Sequence, residues 1–167
     1  MKSGIIYAGD KALARVKNDF TGSKRRICSM GGEVLLSARV VCTGEEPGDV
    51  RSHRYVMADA DGGTVGAVNP EYAEEERPEV NGWPVCRLPK VESARGKICG
   101  RVCTLFMQDS RNYRLSDDNG NCLVLVVHRG IMSGWDISDF SGFPPEVLCG
   151  IFVFCRYIAQ ENEFIIV

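Results

Sequence analysis

Arg54-Tyr55-Val56-Met57-Ala58-Asp59-Ala60-Asp61-Gly62-Gly63-Thr64-Val65-Gly66-Ala67-Val68 aligns without a gap on Asn112-Tyr113-Arg114-Leu115-Ser116-Asp117-Asp118-Asn119-Gly120-Asn121-Cys122-Leu123-Val124-Leu125-Val126. Tyr, Asp, Gly and Val recur at matching places. Each copy reads as a strand, a turn of Asp, Asn and Gly, and a second strand, which is the signature of a β-hairpin. In such turns Asp and Asn bond their own backbone, and Gly62, Gly63 and Gly120 supply positive φ. Each copy also follows a β-rich run with an Arg-Val pair, Val34 to Cys42 and Lys97 to Leu105, which sets Arg39 against Arg101.

Outward from the repeat, the second unit is the more complete. Lys97 to Phe106 reads as one strand, Tyr113 to Val126 as the hairpin, and 129–146 as a polar connection. Val147 to Ala159 reads as a long strand, Gln160 to Glu163 as a turn, and Phe164 to Val167 as a closing strand. That order matches the five-stranded Greek-key barrel called the OB-fold. Alternation in the first strand places Lys97 and Arg101 on one face, which Arg114 joins from the next strand. Gly100 in mid-strand suits the coiling of a small barrel.

The first unit is less complete. Val34 to Thr43 and the hairpin are followed by Asn69-Pro70, the acidic run Glu74-Glu75-Glu76, and an edge strand around Trp83 to Pro89. Upstream, residues 4–8 read as a strand. Asp10 then stands as a helix N-cap ahead of Leu13, Val16 and Phe20, or as part of a hairpin turn with Gly9. Residues 21–32, polar and basic, read as a loop. The expected organisation is a basic segment 1–32, an OB-like unit 33–93, and an OB-fold domain 94–167. The fold class is all-β with minor α.

Composition narrows the function. A hydrophobic share of 44% supports a core, and no apolar run approaches the roughly 20 residues that span a bilayer. No membrane association is expected. The first residues lack a secretory signal's features, so an intracellular address, nuclear or organellar, is the expectation. Among eight cysteines there is no Cys-x-x-Cys, and the only histidines are His53 and His128. Zinc spacings are therefore missing, and the thiols read as buried hydrophobes. No cofactor or metal follows from the sequence. The Asp59/Asp61 and Asp117/Asp118 pairs read as turn chemistry rather than a cation site. Without a Walker loop or a nucleophile–histidine motif, the protein is expected not to be an enzyme.

Charge is uneven. Residues 1–30 carry seven Lys or Arg against Asp10 and Asp19, whereas 31–96 carry seven basic against twelve acidic residues. The basic start, with Lys24-Arg25-Arg26, reads either as a contact for phosphate or an acidic partner, or as a solvated tail.

The segment Asn112 to Cys122 resembles the "aromatic-x-hydrophobic-x-Asp-x-x-Gly" signature of OB-folds in the replication protein A superfamily, which includes telomere-capping subunits. Gly150-Ile151-Phe152-Val153-Phe154 resembles the fourth strand of those barrels. The resemblance implies a subunit of a single-stranded nucleic-acid-binding complex, contacting DNA or RNA. Its candidate contacts are Lys97, Arg101, Arg111, Arg114, Phe152, Phe154, Arg156, Arg39 and Arg54. Phe106, Trp135, Tyr157 and Arg129 complete the aromatic and cationic supply. The alternative is a β-barrel adaptor whose apolar final hairpin, 147–167, docks a protein partner without touching nucleic acid.

Overall fold

The computed structural model describes residues 4–8, 10–19, 23–44, 53–72, 79–80, 83–84, 91–109, 111–130 and 134–163. The chain runs β1 (Gly4–Ala8), β2 (Lys11–Asn18), β3 (Lys24–Ser29), β4 (Val34–Cys42), β5 (His53–Asp59), β6 (Thr64–Tyr72), β7 (Glu79–Val80), β8 (Trp83–Pro84), β9 (Val91–Ile98), β10 (Arg101–Met107), β11 (Tyr113–Asp117), β12 (Cys122–His128), β13 (Trp135–Asp139) and α1 (Pro145–Glu163). Eleven strands form one antiparallel sheet in the order β1-β2-β3-β4-β5-β6-β9-β10-β11-β12-β13, and β7 pairs with β8 alone. Sequence neighbours are spatial neighbours throughout, apart from the β7–β8 excursion.

Both aligned hairpins are present, β5–β6 and β11–β12, and their turns superpose bond for bond. Asp59 N–H donates to Gly63 O at 2.9 Å, and Asp117 N–H to Asn121 O at 3.0 Å. The Asp59 carboxylate accepts the N–H groups of Asp61 and Gly63, and that of Asp117 accepts those of Asn119 and Asn121. Gly62 and Gly120 sit at φ +89° and +80°, the left-handed region that glycine enters without strain. A third copy joins β3 to β4. There Ser29 N–H donates to Glu33 O, Gly32 lies at φ +96°, and the Ser29 hydroxyl takes the place of the carboxylate.

The sheet is not closed into a barrel, and this overturns the OB-fold expectation for 94–167 and the second OB-like unit before it. The Asp-x-x-Gly signature is turn chemistry that any tight hairpin of this type requires, so it carried the hairpin but not the fold. Two further corrections explain the rest. The expected strand Lys97 to Phe106 is broken by a two-residue turn, Cys99 at φ +49° and Gly100 at φ +76°, so β9 and β10 are a hairpin. The expected strand Val147 to Ala159 is the middle of α1. A segment apolar on both faces of a strand is equally apolar all round a helix. The expected closing strand 164–167 and the acidic run 74–76 lie outside the described residues. At the start of the chain, Asp10 opens no helix: β2 pairs with β1 through the hairpin reading, and most of the expected loop 21–32 is β3 with its turn.

One face of the sheet makes the core. Ala14, Val16, Ile27, Leu36, Ala38, Tyr55, Met57, Val68, Ala94, Ile98, Cys103, Leu105, Tyr113, Leu115, Val124 and Val126 all point to it and are buried. A single apolar face must be covered, and α1 covers it. Pro145 starts the helix at the position where a missing N–H costs nothing. From Val147 to Ala159 every residue is buried except Leu148, Phe152 and Arg156, which lie one turn apart on a single stripe. The helix touches β3, β4, β5, β9, β10 and β13, so the sheet curves round it. Small residues allow the approach: a Cβ on Gly150 would meet Leu36 Cδ2 at 2.9 Å and Met57 Sδ at 3.1 Å.

Candidate anion-binding surfaces

The other, convex face of the sheet follows from the register. Lys24 pairs with Arg39, Arg26 with Ser37 and with Lys17, Arg15 with Cys28, and Arg54 with Val41. Cross-strand partners share a face, and these are out of phase with Ile27, Leu36, Ala38 and Tyr55, which face the helix. Lys17, Arg26, Arg39 and Arg54 are exposed, with Arg15 and Lys24 half-buried beside them. Lys17 lies directly opposite Arg26, and Lys24 directly opposite Arg39. Like charges so placed destabilise a sheet by a few tenths of a kcal/mol or more. No acidic side chain occupies an outward position on β2, β3, β4 or β5. Asp19 borders the patch and accepts the Lys24 backbone N–H at 3.3 Å.

The convex face of the second half is different, because three of its arginines are engaged. Arg95 pairs with Asp118 at 3.0 Å, Arg129 grips Asp136 through Nε at 2.7 Å to each oxygen, and Arg114 donates to Gly120 O at 2.7 Å. The Arg129 guanidinium holds the Asp136 carboxyl below the ordinary carboxylate range. Between the halves, Asn69, Glu71, Arg95, Gly96, Lys97 and Val102 line a shallow hollow of about 340 Å³.

The sequence-derived contacts therefore do not share a groove. Lys97 faces outward opposite Val102, whereas Arg101 opposes Ile98 across the turn and faces the helix side. Its Nη1 donates to Ser141 O at 3.2 Å and its guanidinium lies 5.4 Å from the Phe143 ring centroid. The expected common face of Lys97, Arg101 and Arg114 is lost to the turn at Cys99-Gly100. Arg111 holds a loop: its carbonyl accepts Trp135 Nε1–H at 3.1 Å. Phe154 is in the core, 5.9 Å from Tyr55, and Phe152 is half-buried 5.4 Å from Trp135. Arg156 stacks over Trp135 at 5.1 Å. The pairings Leu36 with Asp59 and Cys103 with Asp117 set Arg39 against Phe106 in the repeat, not against Arg101. Only Arg39 and Arg54 fall together, and they do so with Lys17, Lys24 and Arg26. The basic character of residues 1–30 was the signal for those three; reading 21–32 as a loop hid the face.

With no barrel there is no barrel groove for a single strand, and the described part of the expected C-terminal hairpin, residues 147–163, belongs to the helix packed on the sheet. No helix among the described residues is long and apolar enough to cross a membrane. Among them, too, no group of three or more His, Cys, Asp or Glu is placed to hold a metal ion.

One polar cluster is shielded, at the end of the sheet where α1 finishes. Glu161 accepts the hydroxyl of Tyr55, lies 2.7 Å from His53 Nε2, and is approached by the Tyr72 hydroxyl at 3.4 Å. Burial first, and the Glu161 charge second, push the Tyr55 phenol far above its ordinary value. Gln160 accepts from Arg25 Nη2 at 3.3 Å, and Asn162 bonds both the N–H and the carbonyl of Val91. Three consecutive helix residues thus reach three parts of the sheet, which ties the helix end in place. No protein-family model, no curated protein and no solved structure matches the chain.

Proposed function

We propose that the protein is a non-catalytic binding module that holds an acidic segment of a partner protein on the convex face of β2–β5. The observation that carries this reading is the pair of like-charge ladders, Lys17 opposite Arg26 and Lys24 opposite Arg39. That arrangement costs stability in the free protein, and an anionic partner relieves it. The outward neighbours favour a protein over a single-stranded nucleic acid. Ser37, Val41 and Ala58 lie between the cations, with Val56 and Cys28 buried beneath them, and none is an aromatic platform on which a base would stack. A convex surface also offers no groove to track a flexible strand.

The test is fluorescence anisotropy with a labelled poly-glutamate peptide, at low and physiological salt. Binding is expected to weaken with salt and to fall by about tenfold or more in Lys17→Glu/Arg26→Glu, because charge reversal replaces attraction by repulsion. Affinity unchanged by the reversal would overturn the reading. Tighter binding of oligo-dT than of poly-glutamate would overturn it as well, and would give the face to nucleic acid.

A further inference from the structure

A second cationic feature lies on the other side of β3, against the helix. Arg25 pairs with Ala38 and so points inward, unlike its neighbours Lys24 and Arg26. Its guanidinium lies 4.9 Å from the Tyr157 ring centroid, and its Nη2 reaches Gln160. Gln160 is one turn beyond Arg156, so Arg25, through Gln160, and Arg156 lie along the same edge of α1. Arg156 is held over Trp135 of β13, itself packed on Phe152.

Among the described residues between Val147 and Gln160, this edge is where the sheet leaves the helix open. Leu148, Phe152, Arg156 and Gln160 are half-buried, as are Arg25 on one flank and Trp135 on the other. The edge therefore presents partly exposed apolar side chains, with two arginines toward its C-terminal end. The Tyr157 hydroxyl is turned to the sheet backbone, donating toward Ser23 O and Ala38 O. Arg25 Nε is shielded from solvent and has no hydrogen-bond partner among the described residues. Burial lowers the Arg25 pKa, Tyr157 opposes this, and the charge on Arg156 lowers it further.

We infer that Arg25 and Arg156 form a binding site for a small oxyanion, a phosphate or carboxylate group, seated between the two guanidinium planes at the C-terminal half of α1. An oxyanion neutralises two neighbouring positive charges and takes the forked geometry that guanidinium groups favour. Stacking on Tyr157 and Trp135 fixes both planes beforehand, so little side-chain freedom is lost on binding. The structural alternative is that both arginines serve only the negative end of the helix dipole, a partial charge of about half a unit. That leaves most of their combined charge unanswered. The site is separate from the convex face, since β3 carries Arg25 and Arg26 on opposite sides, and it does not depend on the proposed acidic partner.

The experiment is thermal unfolding of the full chain titrated with sodium phosphate and, in a second arm, sodium succinate, each against sodium chloride of matched ionic strength. One or both oxyanions are expected to raise the midpoint along a saturating curve, as a ligand of the native state must, and the arm with the lower half-saturation names the group. Arg156→Gln, at a half-exposed position, is expected to abolish that rise while leaving the midpoint in chloride within a few degrees. Arg25→Gln should do the same, and Lys17→Glu/Arg26→Glu should keep the rise. Equal effects of chloride and both oxyanions would overturn the inference, as would a rise that survives in Arg156→Gln and Arg25→Gln alike.

Discussion

Tyr55 in β5 donates its hydroxyl to Glu161 near the end of α1, and through that bond the repeated hairpin holds the element that fills the sheet. The same tyrosine ring packs 5.9 Å from Phe154 and 5.4 Å from Tyr157. Its matching residue, Tyr113, is equally buried in the second copy. Removing the hydroxyl should leave Glu161 and His53 to each other and weaken the tie. Tyr55→Phe and Glu161→Gln are each expected to destabilise by about 1–3 kcal/mol, the range for breaking a shielded hydrogen bond to a charged group. Urea denaturation of both single variants and the double variant checks this. Strictly additive losses would show that the two side chains do not interact.

Stability should fall on the alkaline side. Burial pushes the Cys103 and Cys149 thiols up to about 11, and Tyr55 and Tyr157 well above the ordinary phenol value. The folded state thus keeps protons that the unfolded chain releases, near pH 9 for the thiols and near 10 for the phenols. The contribution of each group is complete below its unfolded pKa and is lost as pH rises from there toward the folded value. Denaturation midpoints measured from pH 7 to 11 should decline above about pH 9, and the loss should be shallower in Cys103→Ser/Cys149→Ser relative to its own value at pH 7. A flat profile would contradict the burial of these groups.

Phe154 and Phe140 contrast the core with the surface. Phe154 is fully buried, while Phe140 is 65% exposed. Phe154→Ala is expected to cost about 3–5 kcal/mol, from lost burial and the cavity left behind, and Phe140→Ala less than about 0.5 kcal/mol. Chemical denaturation reads both. Comparable losses at the two positions would place α1 wrongly.

Gly96 marks where β9 crosses closest to β6. A Cβ there would lie 2.0 Å from Ala67 O and 2.7 Å from Val68 Cα, both backbone atoms that cannot step aside. Gly96→Ala should therefore cost at least about 3 kcal/mol or prevent folding, well beyond ordinary overpacking of about 1–3 kcal/mol. Gly150→Ala meets only the flexible ends of Leu36 and Met57 and gains helix propensity. Its loss should be the smaller one in the same denaturation series.

The third turn offers a gain. Ser29 stands where Asp59 and Asp117 stand in the other copies, and its hydroxyl accepts the Glu33 N–H at 3.1 Å. Ser29→Asp provides a second acceptor for the same turn frame and is expected to stabilise by a few tenths of a kcal/mol up to about 1 kcal/mol. A lower urea midpoint would show that the Ser29 turn is not equivalent to the other two.

Local chemistry alone determined the two hairpins, because Asp, Gly and the alternating strands specify them over about fifteen residues. It also determined the turn role of Asp59 and Asp117 and the strands at 4–8 and Val34 to Cys42. Two signals were present but outweighed. Cys99-Gly100 is a two-residue turn hidden inside an apolar run, and Pro145, followed by half-exposed Leu148, Phe152 and Arg156 one turn apart, marks a helix. Both failed for the same reason: a continuous apolar stretch has no period, and period is what distinguishes strand from helix. Only the tertiary structure decided that Val147 to Ala159 is helical, since most of its surface packs against the sheet. Only the register decided which cations share a face. Side-chain direction reverses with every residue, so the turn at Cys99-Gly100 parted Arg101 from Lys97, and β3 set Arg25 against the helix while Lys24 and Arg26 face outward.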